Sequence, residues 1–200
     1  MITILDYGEG NIRNVERAFQ KLGQSVTVTN EKNKIEKATT LVVPGQGAFK
    51  QAMTQLKKLN LIDPIKNHIK EKKKFLGICL GFQILFETSE EHGTIEGLKI
   101  VPGHFKKINV PNFKVPHMGW NQIKTNQQSV MFNNIAPKSY VYFVHSYYVE
   151  QTKTEIISST THYGNEFVSA IEDSHLWATQ FHPEKSGDIG LEILKNFITF

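Results

Sequence analysis

The stretch Phe75-Leu76-Gly77-Ile78-Cys79-Leu80-Gly81-Phe82-Gln83-Ile84-Leu85-Phe86 decides how the chain is to be read. It opens as an apolar strand, turns through Gly-x-Cys-x-Gly, and continues into an apolar helix over residues 80–87. That order is the nucleophile elbow of α/β hydrolytic enzymes. Glycines flank the nucleophile because it sits on a tight, strained turn, where neighbouring side chains would meet backbone. The turn also sets the thiol at a helix N-terminus, where the positive dipole end favours thiolate. A lone cysteine is more often a buried core residue. Here the paired glycines and the strand–turn–helix context favour a nucleophile.

Outward from the elbow, short apolar runs alternate with helical patterns. Residues 2–5, 25–29, 41–43 and 75–78 read as strands. Residues 11–22 place Ile12, Val15, Phe19 and Leu22 on one helical face, with Gly23 as C-cap. Residues 48–59 and 63–73 are helical too. This alternation predicts βαβ units and a parallel sheet. Beyond about residue 99 the β-prone runs 105–110, 140–144, 155–160, 167–172 and 176–181 follow one another with turns between, which predicts antiparallel strands. Residues 187–200 close the chain as a helix with Ile189, Ile193, Phe197 and Ile198 inward. The expected fold is α/β, one domain over residues 1–200: a largely parallel central sheet flanked by helices, with additional antiparallel strands.

Composition bounds the alternatives. The chain has 200 residues, 40% hydrophobic and 21% charged, the balance of an ordinary globular protein with a real core. Its longest apolar runs, such as Leu41-Val42-Val43, are far too short to span a bilayer. Met1–Asp6 lacks the basic start and small-residue cleavage site of a signal peptide and reads as a first strand. A single cysteine excludes an intrachain disulfide and fits a reducing compartment, so a cytoplasmic location is expected. The net charge of +4 is mild. The cluster Lys70, Lys72, Lys73, Lys74 lacks the aromatic interleaving of a nucleic-acid groove and reads as a solvated helix C-terminus. No Cys pair, His-x-x-His or His-Glu-x-x-His occurs, so neither metal nor cofactor is expected.

A nucleophile needs a base, and the base needs an orienting group. Of eight histidines, His182 is the best placed, because it ends a strand and is followed by Pro183 and Glu184. On extended chain, residues two apart point the same way, so Glu184 can reach one imidazole nitrogen while the other faces the thiol. A third element, Pro44-Gly45-Gln46-Gly47-Ala48-Phe49, follows the third strand. The carboxyl ends of parallel strands gather ligand sites. Backbone N–H groups around Gly47, with that of Leu80 after the nucleophile, can hold a tetrahedral oxyanion. A phosphate loop is the weaker reading, since no G-x-x-x-x-G-K-[ST] is present.

Together these residues resemble the class I, triad-type glutamine amidotransferases. Gly77-Ile78-Cys79-Leu80-Gly81-Phe82-Gln83 is similar to that family's nucleophile motif, and His182-Pro183-Glu184 to its His-Pro-Glu. A cysteine variant of the α/β-hydrolases would carry its acid before the histidine. The likeness narrows to the glutaminase subunits of imidazole glycerol phosphate synthase, through Asp6–Asn14, Pro44–Phe49, His117–Asn121, Tyr142–Tyr147 and Gln180–Ser186. Gln46 stands where many such relatives carry valine.

The resemblance implies a Cys79–His182–Glu184 triad that hydrolyses glutamine. Gln83 would hold the substrate, and groups near Ser146 and Tyr147 would meet its amino-acid end. The ammonia would pass to a (β/α)₈-barrel cyclase partner in a heterodimer of histidine biosynthesis. The docking face would surround the active-site rim, with Asn11, Asn14, Trp120 on a loop, and Lys185 as candidates. The alternatives are a glutaminase subunit of anthranilate or aminodeoxychorismate synthase, or a non-catalytic binding subunit with this fold.

Overall fold

The computed structural model describes residues 1–200. The first half runs β1 (Ile2–Leu5), α1 (Ile12–Lys21), β2 (Val26–Thr29), α2 (Lys32–Lys37), β3 (Thr40–Gly45), α3 (Phe49–Lys58), α4 (Ile62–Lys70), β4 (Lys74–Cys79) and α5 (Leu80–Gln83). The second half runs β5 (Phe86–Ser89), β6 (Ile95–Glu96), β7 (Val101–Lys107), β8 (His117–Gln122), β9 (Lys124–Thr125), β10 (Tyr140–His145), β11 (Tyr147–Val149), β12 (Ile157–Tyr163), β13 (Asn165–Asp173), β14 (Leu176–Thr179) and α6 (Gly187–Thr199).

Eight strands form one sheet in the order β2-β1-β3-β4-β14-β13-β12-β9. The first five are parallel to one another, and β13, β12 and β9 add on antiparallel. The sheet is mixed α/β as the alternation predicts, but β14, read from the sequence among the antiparallel strands, runs parallel to β4 and completes the parallel ladder beside the elbow, a long-range pairing that no local pattern encodes. Successive residues of the central strands feed opposite faces. Leu41, Val43 and Phe75 pack with Phe49, Leu56 and Ile65 of α3 and α4. Val42, Leu76 and Ile78 pack with Phe19 of α1 and Ile193 and Phe197 of α6. The α1 helix ends as expected at Gly23 (φ +75°). There the N–H of Gly23 bonds Gln20 and that of Gln24 bonds Phe19, a Schellman stop.

The structure departs from the sequence reading in three further places. The helix expected over residues 80–87 is a single turn, Leu80–Gln83. Beyond it the carbonyls of Ile84, Leu85 and Phe86 accept from Leu98 (2.7 Å), Ile100 (2.9 Å) and Lys99 (3.1 Å), and so are taken up by another segment. The dipole argument for the thiol therefore reduces to the free N–H groups of one turn. Second, the His117–Asn121 segment is no loop. It is strand β8, paired antiparallel with β10 so that Trp120 faces Tyr142. Third, α2, β5, β6 and β11 lie in stretches whose short or mixed patterns carry no clear period.

The β8–β10 ribbon is tied to the His-Pro-Glu turn by backbone and by one side chain. The N–H of His182 donates to Tyr142 O at 2.9 Å. Ser186 Oγ donates to His182 O at 2.6 Å and accepts from Tyr142 N at 3.0 Å. Ser186→Ala leaves a buried carbonyl and an N–H without partners. The expected cost is about 2 kcal/mol of unfolding free energy, read by urea denaturation. An unchanged midpoint would show that this bridge is not what fixes the turn.

Candidate active site

The elbow is built as its glycines require. Cys79 has φ +53° and ψ −102°, a conformation that L-residues rarely adopt and that costs energy. A β-carbon at Gly77 would lie 2.6 Å from the Gly81 carbonyl oxygen, and one at Gly81 would collide with the carbonyl of Val43. The sulfur of Cys79 lies 3.8 Å from the Val144 carbonyl oxygen and accepts from Gln180 Nε2 at 3.7 Å. The first tie reaches across to β10 and the second to the residue just past β14.

His182 lies beyond β14 and is almost wholly buried. Its Nδ1 is 2.7 Å from Glu184 Oε1, the contact that the motif predicts. The geometry differs from the extended chain assumed above. Pro183–Lys185 forms one 3₁₀ turn, which folds the carboxylate back under the ring. Nε2 is buried and has no hydrogen-bond partner at rest. Burial by itself would lower the pKa of this ring. The nearness of Cys79, together with the bond to Glu184, outweighs that and raises it to about 10. The imidazole therefore holds a proton at neutral pH.

Two further buried histidines stay neutral, and one of them, His145, is close enough to feel the charge of His182. His145 Nδ1 donates to Tyr147 O at 2.9 Å, so its Nε2 is the acceptor for His117 Nδ1, also at 2.9 Å. His117 Nε2 then accepts from Asn121 Nδ2 at 3.2 Å. Each ring's tautomer follows from its neighbour's. His117 is stacked between Phe143 and Tyr163. Burial lowers His117 to about 4. Burial, and then the nearness of His117, lowers His145 to about 3.

Cys79 opens onto a cleft of about 360 Å³, in the size range of small-molecule sites. Gly47, Leu80, Gln83, Ser146, Tyr147 and Lys185, all singled out from the sequence, line it. The amide nitrogen of Gln83 is committed to Gln180 Oε1 at 3.1 Å. Trp120 and the two asparagines stand apart from the cleft. Trp120 is 55% exposed and meets Tyr142 edge-on at 6.2 Å. Lys185 Nζ lies 5.9 Å from the centre of that same Tyr142 ring. Asn11 caps α1 by accepting from Asn14 N at 3.3 Å. Asn14 borders a separate groove shared with Glu184.

Sequence reasoning passed over Gln180, His117 and His145. Gln180 had a usable signal, since it is a polar residue in an apolar run two positions before the base. The histidine pair had none, because its members meet only through strand pairing. No group of His, Cys, Asp and Glu is arranged to hold a metal ion.

The profile of the Glutamine amidotransferase class-I family matches residues 3–199. The chain is 44% identical to the imidazole glycerol phosphate synthase subunit HisH of Syntrophotalea carbinolica, over 98% of each chain. It is 43% identical to the same-named subunit of Bacillus thuringiensis, over 98% of this chain and 93% of that one. Among solved structures it is similar to a glutamine amidotransferase, with a TM-score of 0.75 at 15% identity over 98% of each chain. It is also similar to a glutamine amidotransferase from Thermotoga maritima, with a TM-score of 0.68 at 16% identity, covering 99% of this chain and 80% of that one. These last two likenesses speak for the fold.

The three histidines give a test by ¹⁵N NMR titration. His182 is expected to remain protonated at pH 7 and to lose its proton near pH 10. His117 and His145 are expected to be neutral there, with their protons on Nδ1. Because His182 lies above its unfolded value of 6.5, the pairing stabilises fully below pH 6.5 and is lost as pH rises through about 10. Glu184→Gln should lower the His182 midpoint. A wild-type midpoint near 6.5 would contradict the buried charged pair.

Proposed function

The chain belongs to the class I glutamine amidotransferases, and from that premise we propose that it is the glutaminase subunit of imidazole glycerol phosphate synthase, in histidine biosynthesis. It hydrolyses glutamine to glutamate and ammonia and supplies the ammonia to a cyclase subunit. The observation that carries the catalytic assignment is the 2.7 Å contact of His182 with Glu184, on a ring whose free nitrogen is buried beside Cys79.

The chemistry follows from these groups. His182 already holds the proton, which leaves the sulfur of Cys79 as the nucleophile toward the carboxamide carbon of glutamine. The tetrahedral oxyanion is met by backbone N–H groups of the Gly45–Gly47 segment and of Leu80. The imidazolium Nε2 gives its proton to the departing nitrogen, and the C–N bond breaks to release ammonia. A water then adds to the glutamyl thioester with His182 as base, the C–S bond breaks, and glutamate leaves. Glu184 keeps the ring in the tautomer and orientation that this exchange needs. Ser146 and Tyr147, on the cleft wall, serve the amino-acid end of the substrate.

Ammonia released into water becomes protonated and diffuses away, so the partner has to cover the cleft mouth. A (β/α)₈-barrel cyclase joined as a heterodimer is the partner that the reading requires. The exposed Trp120 against Tyr142, with Lys185 over that same Tyr142 ring, forms the anchor of the docking face, to which Asn11 and Asn14 are assigned as outer members. Gln46 sits between two glycines, so its peptide is free to rotate. That rotation couples partner and ligand binding to glutamine hydrolysis. No helix is long and apolar enough to cross a membrane. A single free thiol suits the cytoplasm.

Cys79→Ala is expected to cut glutamine-dependent glutamate release by roughly 10⁴-fold or more, while the complex still makes product from ammonium salts. Retained glutamine turnover in that variant would remove Cys79 from its role. Trp120→Ala should weaken partner binding about thirtyfold, as the loss of an aromatic anchor does. Its unfolding free energy should stay within about 0.5 kcal/mol of the parent. Titration calorimetry and urea melts decide this. A large stability loss with unaltered affinity would make Trp120 a packing residue.

A further inference from the structure

The hydroxyl of Tyr7 has no part in the chemistry above, yet it occupies a position that a packing residue would not need. Tyr7 follows β1 and is 1% exposed, and its hydroxyl makes no hydrogen bond. Such a group is destabilising where it stands, and phenylalanine would fill the same volume without that cost. The hydroxyl rests directly on Gly45. A β-carbon there would strike the Tyr7 oxygen and would come within 2.7 Å of Leu80 Cβ. Gly45 is paired with Cys79 in the β3–β4 register and leads into Gln46 and Gly47. The oxygen thus lies at the junction of the two backbone segments assigned to the oxyanion.

We infer that Tyr7 is a positioning residue for that backbone, an inference that rests on the glutaminase reading of the site. A trans peptide presents its N–H and C=O on opposite sides. When the Gly45–Gln46 peptide aims its N–H at the oxyanion, its carbonyl lies on the opposite side, and the Tyr7 hydroxyl resting on Gly45 is the donor placed to meet it. The hydrogen bond formed there exists only in the working arrangement, so the hydroxyl favours that arrangement over the resting one. Burial, and then the charges of Cys79 and Glu9, push the phenol pKa up, so the group remains a protonated donor at working pH. Gly45 is required because any side chain would occupy the place of the hydroxyl.

The test is Tyr7→Phe in the complete two-subunit complex with the nucleotide ligand bound. The kcat for glutamine hydrolysis should fall about tenfold, the worth of one hydrogen bond formed on the way to the transition state. The KM for glutamine should stay within about twofold, since the hydroxyl does not face the substrate. The melting temperature should hold or rise, because the variant loses only an unpaired polar atom. Labelling of Cys79 by 6-diazo-5-oxo-L-norleucine, run on the parent complex, separates the two layers of the claim. A parent that labels and turns over, with a variant that is slow yet stable, supports the role of Tyr7. A variant as fast as the parent overturns that role alone. A parent that neither labels nor hydrolyses glutamine overturns the reading of the site, and the role of Tyr7 with it.

Discussion

Everything at the site hangs on one strained residue. Cys79 is held at φ +53°, ψ −102°, at a cost of about 1–3 kcal/mol. It persists because β4 lies between β3 and β14 in the parallel ladder, bonded on both sides up to the turn. The strain lifts the thiol out of the sheet at the carboxyl end of its central strand. Gly77 and Gly81 follow from the same turn, as does the close approach of α5 to Val43. A strand at the sheet edge would lack the second ladder and could not oppose the strain in this way.

Around that thiol the protein keeps one charged ring and two neutral ones. Three buried histidines in one region would repel one another if all were protonated. The hydrogen-bond chain Asn121–His117–His145–Tyr147 leaves the last two rings no protons to gain without breaking a bond. The proton is thereby confined to His182, where Glu184 and Cys79 both favour it. The chain also joins β8, which carries the exposed Trp120, to β10 and β11 at the cleft wall. The outer ribbon and the pocket are thus joined by hydrogen bonds, and Ser186 ties the ribbon again to the His-Pro-Glu turn.

The fold by itself leaves the partner open. Structures under a fifth identical share it, and a fold hosts many functions. The alternatives of anthranilate or aminodeoxychorismate synthase use the same kind of glutaminase. Full-length relatives at 43–44% identity point instead to imidazole glycerol phosphate synthase. Two of the five stretches that carry that narrower likeness, His117–Asn121 and Tyr142–Tyr147, lie largely on the two strands of the outer ribbon. They carry the features on which a docking partner would act.

By itself the sequence determined four of the five parallel strands, all but β14, together with the elbow at Cys79 and the His182–Glu184 pair. Each is local: a period of two or 3.6 residues, a glycine at a tight turn, an acid two positions from its base. Even there the physical cause of the His–Glu contact lay outside the pattern, since a 3₁₀ turn and not extended chain brings the carboxylate round. Only the tertiary structure decided that the helix after Cys79 stops after one turn, because residues 98–100 take its carbonyls. Only it put His117 beside His145, Gln180 between Gln83 and Cys79, and the Tyr7 hydroxyl on Gly45. The three hydrogen-bonded pairs among them join residues 28, 97 and 101 positions apart. No periodicity encodes such pairings; they form when buried polar groups from different strands must satisfy one another away from water.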